Sequence, residues 1–316
     1  MGGGADTEVT RIPPTPWFRE KTRSRYMPTF NKPISEIIRR RFSCRTYLET
    51  PIDEGTRQSL LDFMKASQSG PLGSRPRFSL VAATGQDRRA LRGLGTYGFI
   101  RGASGFILGA VEPGEKNLED YGYSMEQIIL LATELGLGTC WLGGTFTQSS
   151  FSRKIALTGN EIMPAVASIG RIANLKKARD GLLRQFSDAH HRLSWKRLFF
   201  DRQFGIPLRR EDVGEYATPL EMVRLGPSAS NKQPWRIVRD DHKWHFYMQR
   251  TPGYRQGFFQ VLLNLVDLQR IDLGIAMCHF ELTAREAGLQ GEWVAEEPGI
   301  VKPDALMEYT VSWVSG

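Results

Sequence analysis

The chain has 316 residues, with 42 Lys and Arg against 34 Asp and Glu, for a formal charge of +8. Hydrophobic residues at 41% and charged residues at 24% match a globular protein of about two domains with a sizeable core, and exclude a disordered chain, a collagen-like chain and a small disulfide scaffold. No run of about 18 apolar residues occurs, which excludes a membrane-spanning helix, and the three scattered cysteines, Cys44, Cys140 and Cys278, fit a reducing, cytoplasmic setting better than a disulfide framework.

The first segment, residues 1–32, reads as an extended arm. Pro13, Pro14, Pro16 and Pro28 prevent a long helix, and Trp17, Phe18, Tyr26 and Phe30 can lie along the body. The arm carries six basic and three acidic residues, so much of the net charge sits there. The densest basic run elsewhere is Arg39-Arg40-Arg41, too short to track a nucleic-acid backbone. No nucleic-acid and no membrane partner is expected.

Pro33 opens an amphipathic helix with Ile34, Ile37 and Ile38 on one face and Arg39 and Arg40 on the other. Asp53 can cap a second helix that presents Leu60, Leu61 and Met64. Strands are expected at 77–83 and 105–111. Residues 124–136 are apolar almost all round, which predicts a central buried helix. A buried strand follows at 164–170, and the polar stretch 176–191 is the candidate linker. The second half repeats this order more loosely. A helix-like stretch holds Leu220 and Met222, a turn comes at Gly226-Pro227-Ser228, and strands are expected at 235–239 and 244–248. A long apolar helix covers roughly 261–287, and a last strand runs over 309–313. The buried-helix patterns at 128–141 and 275–293 both end in Gly-Leu, and the strands at 76–83 and 234–240 are both led by Pro. Ordered self-similarity at about half the chain length suggests an internal duplication.

Three clusters carry chemistry. Arg41-Phe42-Ser43-Cys44-Arg45 places two guanidiniums and a hydroxyl at alternate positions, so on extended backbone all three can face one anion. The same residues also suit a solvated basic helix end. Gly136-Leu137-Gly138-Thr139-Cys140-Trp141-Leu142-Gly143-Gly144 follows a buried helix. Its glycines allow close approach of a flat ligand and free amide N–H groups to point at it. A helix cap at Gly136 followed by a tight turn accounts for one of them. Pro227-Ser228-Ala229-Ser230-Asn231-Lys232-Gln233-Pro234-Trp235-Arg236 sets polar side chains in a loop stiffened by proline at both ends, as an ordinary polar turn also does.

Together the three clusters resemble the FMN-dependent nitroreductase superfamily, over most of residues 33–316. Arg41-x-Ser43-x-Arg45 is similar to its flavin-phosphate motif, 227–236 to its Pro-Ser-x-x-Asn-x-Gln-Pro-Trp loop, and 136–144 to the stretch beside the reactive face of the flavin. The order departs from the family, in which the Pro-Ser loop lies between the other two motifs. Here Ser69-Gly70-Pro71-Leu72-Gly73-Ser74-Arg75-Pro76-Arg77 holds that place without the Asn and Gln, and the well-formed loop lies in the second half.

Members of that family are homodimers with flavin at the subunit interface. The resemblance therefore implies an α+β, nitroreductase-like fold in which two similar α/β halves with central buried helices form an internal pseudo-dimer. The arm at 1–32 would precede one half at 33–184 and another at 185–316. One of two fused sites can then decay, which leaves one composite site and one FMN per chain. It further implies that Arg41, Phe42, Ser43, Arg45, Trp141, Leu142, Gly143, Gly144, Pro227, Ser228, Ala229, Ser230, Asn231 and Gln233 bind the cofactor. Arg41, Ser43 and Arg45 would hold the phosphate, with Arg45 reaching toward the N1–C2 edge of the ring. Ser228, Ser230 and Asn231 would contact the phosphate and ribityl chain, and the Gly143 and Gly144 amides would face N5. By position alone, Lys176, Lys177 and Arg179 could close the phosphate pocket.

The activity implied is ping-pong hydride transfer through flavin N5 from NAD(P)H to a small nitroaromatic or quinone-like acceptor. The chain would be monomeric, with further association of pseudo-dimers left open. A non-catalytic flavin-binding or sensor protein of the same fold is the alternative. No metal is expected, because His190-His191 and His242-x-x-His245 lack companions at ligand spacing. Cys140 reads as a small buried hydrophobe, and no P-loop, nucleophile elbow or dinucleotide fingerprint is present.

Overall fold

The structure is a computed structural model and describes residues 29–82, 91, 94, 96, 98–144, 148–173, 191–254 and 266–316. Most of the expected arm, the candidate linker up to residue 190, the half boundary at 184/185, and Lys176, Lys177 and Arg179 lie outside the described residues. Phe30 of the arm is described; its ring packs 6.2 Å from that of Phe63.

Helix α1 (Ile34–Arg40) buries Ile34, Ile37 and Ile38 as its spacing predicts. Pro33 offers no side-chain cap; the carboxylate of Glu286, from the far end of the chain, accepts from the Ile34 and Ser35 amides instead. Helix α2 (Glu54–Ala66) is capped by Asp53, whose Oδ1 accepts from the Thr56 amide at 2.9 Å. Strands β1 (Arg77–Ala82) and β2 (Gly105–Ala110) precede helix α3 (Asn117–Glu134), strand β3 (Leu137–Leu142), helix α4 (Gln148–Ile155) and strand β4 (Val166–Arg171). In the second half come α5 (Trp195–Leu198), β5 (Phe199–Asp201), α6 (Ala217–Leu225), β6 (Trp235–Asp240), β7 (Lys243–Gln249), α7 (Leu268–Glu286), β8 (Gly291–Val294) and β9 (Met307–Ser315).

Two sheets result. The first has the order β1-β2-β4-β3 and the second β5-β6-β7-β9-β8. Set β5 aside, which pairs in parallel with β6, and the second sheet repeats the first strand for strand. All remaining neighbours are antiparallel in both, and a long helix leads into β3 and into β8 alike. An α+β architecture with central buried helices is thus in place.

Helices α3 and α7 cross at the centre. A Cβ on Gly122 would meet the Ile271 carbonyl, and a Cβ on Gly274 the Glu119 carbonyl, both well under 3.0 Å. The contact is reciprocal: Gly122 and Gly274 are separated by the same number of positions as Glu119 and Ile271. Asp120 and Asp272, Gly136 and Gly288, and Trp141 and Trp293 share that offset. Gly136 and Gly288 each follow their helix with positive φ, 80° and 79°, the backbone that an αL cap requires.

The structure departs from the sequence reading in three places. Helix α3 starts at Asn117, seven residues before the apolar stretch. Its first turns read as polar, yet they are buried because each polar group has a partner. The Glu119 carboxylate pairs with Arg270 at 2.6 Å, Asp120 accepts two amides, and Tyr121 donates to the Ala165 carbonyl. Helix α7 starts at Leu268 rather than near 261, because Asp267 caps it by accepting from the Gln269 amide; residues 255–265 lie outside the described residues. Residues 137–142, for which the sequence offered a tight turn after a cap at Gly136, form strand β3, and Gly143 and Gly144 follow it outside the strand.

Asp120 and Asp272 show what the shared offset does. Asp120 accepts from the Leu72 and Ser74 amides and so seats the loop at 70–74. Asp272 accepts from the Ala229 amide at 3.0 Å and seats the loop at 228–231. Desolvation pushes the Asp120 carboxyl up to about 6, against the two lowering N–H donors. The folded chain therefore keeps a proton that the unfolded chain releases near pH 4, and this stabilisation is lost as pH rises from about 4 to about 6. Asp120→Asn is expected to flatten the pH dependence of urea-unfolding stability over that window; an unchanged slope would assign it to other groups.

Candidate functional site

A cleft of about 990 Å³ is lined by residues from both sheets' neighbourhoods, from Arg41 in the N-terminal part of the chain to Ile275 on α7. All fourteen residues that the sequence singled out line it: Arg41, Phe42, Ser43 and Arg45 on one side, Trp141, Leu142, Gly143 and Gly144 at its base, and Pro227, Ser228, Ala229, Ser230, Asn231 and Gln233 opposite. Such a volume suits an organic ligand of cofactor size.

The first side follows α1. Helical backbone stops at Arg41, which adopts extended φ/ψ (−62°, 133°), so successive side chains alternate thereafter. Ser43 bridges Thr139 in parallel, and the Cys44 amide donates to the Thr139 carbonyl at 2.8 Å, so the segment runs as an extra edge beside β3. Cys44 points into the core, fully buried. Tyr47 fixes the end of the segment by donating to the Cys44 carbonyl at 2.6 Å, with its hydroxyl 2.8 Å from Ser168 Oγ; burial raises its pKa well above the usual phenol range.

Both arginines are set into protein. The Arg41 side chain is 4% exposed, with Nε 3.7 Å from Glu126 Oε1. Arg41 and Arg45 each keep a buried Nη1 without a hydrogen-bond partner. A buried guanidinium N–H left unmade costs free energy, so two of them on one cleft wall describe a site shaped for an acceptor-rich, anionic group.

At the base, Trp141 is half-buried and its indole Nε1 donates to Glu126 Oε2 at 2.8 Å. A Cβ on Gly143 would run into the Leu268 side chain, whereas Gly144 faces open space. Gly143 thus serves the contact between β3 and α7, and Gly144 is the position with room for a ligand.

The third wall is a strained loop. Ser230, Asn231 and Gln233 all have positive φ, 49°, 54° and 49°, a region that costs non-glycine residues about 1–3 kcal/mol each. A dense set of bonds holds it. Gln233 N donates to Ser228 Oγ at 2.8 Å, Gln233 Oε1 accepts from the Leu193 amide at 2.9 Å, and Asn231 Nδ2 donates to the His191 carbonyl at 2.9 Å. Arg192 Nη1 donates to Asn231 Oδ1 at 2.6 Å. Gln233 is buried and clamps the loop onto 191–193 rather than reaching across the cleft.

Sequence reading missed several lining residues. His191, Arg192 and Leu193 fell into the stretch assigned to the linker and its edge, with no motif to mark them. Asp272, Ile271 and Ile275 belong to α7 and read only as buried helix. Phe99 lies at the rim, 37% exposed. Burial raises the Asp272 carboxyl well above the usual carboxylate range, and its Oδ2 has no partner.

Comparison with known proteins places this geometry. The chain aligns with the solved structure of a "putative nitroreductase" from Thermotoga maritima with a TM-score of 0.56 at 19% identity, over 93% of this chain and 99% of that one; the fold is shared. A nitroreductase family protein from Clostridium difficile aligns with a TM-score of 0.36 at 17% identity, over 48% of this chain and 91% of that one. A "putative nitroreductase in complex with fmn" from Desulfovibrio desulfuricans aligns with a TM-score of 0.36 at 24% identity, over 46% and 89%. No curated protein matches the chain. The model of the family described as "Putative TM nitroreductase" matches residues 33–284, and the chain belongs to that nitroreductase family.

Proposed function

We propose that the chain binds one FMN in the cleft and works as an FMN-dependent NAD(P)H oxidoreductase on small electron-poor acceptors such as nitroaromatics and quinones. The observation that carries this reading is the pair of buried, unpartnered Nη1 atoms of Arg41 and Arg45 in the cleft that both halves line. The donor set fits FMN: two guanidiniums and the Ser43 hydroxyl suit a phosphate, and the cleft volume suits an isoalloxazine ring and its ribityl chain. Family membership supports the oxidoreductase class.

The residues divide the work. Arg41 and Ser43 would hold the phosphate, and Arg45 would supply a cation to the ring. Ser228 and Ser230 meet the ligand from the other half, on a loop kept rigid by Gln233 and Asn231. The Gly143–Gly144 backbone would stand beside the bound flavin, and the open space at Gly144 would admit a donor or acceptor. When bound, FMN supplies hydride chemistry; the chain supplies position, electrostatics and exclusion of water. The two halves, 33–184 and 185–316, are read as descendants of one duplicated subunit, which the repeated strand order supports.

Purified, FMN-saturated protein is expected to carry one flavin per chain in its visible spectrum and to bleach under NADH or NADPH without air. A ratio near two overturns the single composite site. No bleaching with either nucleotide overturns the oxidoreductase reading.

A further inference from the structure

Behind Arg41 lies a buried group whose hydrogen bonds fix a proton count. His279, on α7, is fully buried. Its Nδ1 is 2.9 Å from the Met222 carbonyl and its Nε2 is 3.0 Å from Glu126 Oε1. A carbonyl oxygen only accepts, so Nδ1 carries a proton. A neutral ring would then turn the lone pair of Nε2 toward a carboxylate, which is also only an acceptor when ionised. Contact at 3.0 Å inside the core requires a proton between them. Glu126 and His279 therefore hold one proton beyond that of a neutral histidine and an ionised glutamate, and the pair is neutral as a unit.

The neighbours of the pair make this matter for the cleft. Glu126 Oε2 accepts from Trp141 Nε1, and Oε1 lies 3.7 Å from Arg41 Nε. Were Glu126 an ordinary carboxylate, it would cancel the charge of Arg41. With the extra proton, the group of Arg41, Glu126 and His279 keeps a net charge of +1 next to the cleft. We infer that His279 and Glu126 form a proton-holding positioning pair: the pair orients Arg41 through Glu126 while leaving its charge to an anionic ligand.

The other side of the central helix pair provides a contrast. There Glu281 accepts from Trp293 Nε1 at 2.7 Å, Tyr123 Oη at 2.8 Å and Arg285 Nε at 3.0 Å. Trp293 stands at the position that the chain's internal offset relates to Trp141. Each of these three partners donates, as an ionised carboxylate requires. Among the described residues, the glutamate with a histidine on it is the one on the side that carries Arg41-x-Ser43-x-Arg45.

The binding readout rests on the FMN reading above, whereas the proton count stands without it; the two parts of the test separate these. In cofactor-free protein labelled with 15N-histidine, the expected result is a protonated Nδ1 on His279 together with a strongly hydrogen-bonded proton between Nε2 and Glu126, seen as a downfield 1H signal. A ring protonated at Nε2 alone, or an Nδ1–H ring without that shared proton, overturns the inference. In FMN titrations followed by fluorescence quenching, His279→Leu leaves Glu126 ionised beside Arg41, so binding is expected to weaken about tenfold or more. Adding Glu126→Gln to that variant removes the uncompensated carboxylate and is expected to recover about tenfold in affinity. A double variant that binds no tighter than His279→Leu overturns the inference, whichever way the spectrum of the wild-type chain reads. Wild-type protein that binds no FMN while showing the shared proton overturns the flavin reading and leaves the pair standing.

Discussion

Arg41→Ala is expected to weaken FMN binding about 100-fold. Arg41 is an enclosed cation, with its side chain 4% exposed, so its pairing with a phosphate is screened little by water. Removing one member of a buried, hydrogen-bonded charge pair costs about 2–5 kcal/mol, much of it from the charge left behind. Taking about 3 kcal/mol, and about 1.4 kcal/mol per factor of ten, gives the stated loss. Arg41→Lys keeps the charge but loses the planar fork, and a bidentate site does not treat that exchange as conservative; a loss of about tenfold is expected. Flavin fluorescence titration reads both. Wild-type affinity in Arg41→Ala would remove the phosphate assignment, and a normal melting profile would show that the loss is not one of folding.

The second large effect concerns the helix crossing. Gly274→Ala is expected to destabilise the protein by about 3 kcal/mol or more, the upper range for overpacking a filled core. The added Cβ would fall on the Glu119 carbonyl, which is helix backbone and cannot rotate away. Gly122→Ala places its Cβ on the Ile271 carbonyl in the same manner, so the two variants should lose nearly equal stability. Urea unfolding checks this. A wild-type midpoint for either one would contradict the reciprocal packing of α3 and α7, and a large difference between them would contradict its symmetry.

Much of this was legible in the sequence, for identifiable reasons. Helix α1 was written in the spacing of Ile34, Ile37 and Ile38, and the cap at Asp53 in a residue type that cannot easily serve elsewhere. The three cleft walls were legible because each is a local motif: alternation at Arg41, Ser43 and Arg45, glycines at the base, and turn residues in 227–236. What stayed hidden depends on partners distant in the chain. The first turns of α3 look like surface until Arg270 is placed against Glu119. The strand at 137–142 was masked by glycine and became visible only with β4 beside it. Gln233 looked like a ligand group because its clamp, the Leu193 amide and the His191 carbonyl, sits in a stretch without a pattern. Glu126 and His279 stand on different helices with no local motif around either, and only the crossing brings them together.

The crossing of α3 and α7 has a consequence for how the cleft comes into being. In an assembly of two separate subunits, the opposing walls of such a site part on dilution, and occupancy depends on protein concentration. Here both walls belong to one polypeptide, so the tether holds the local concentration of one wall at the other fixed however dilute the protein becomes. The order of synthesis is fixed as well. The wall bearing Arg41 emerges first and waits, with its guanidiniums unanswered, until the loop at 227–233 and then α7 have been made. Only then does Gly274 reach the Glu119 carbonyl and Asp272 the Ala229 amide. The cleft is thereby completed among the last events in the maturation of the chain.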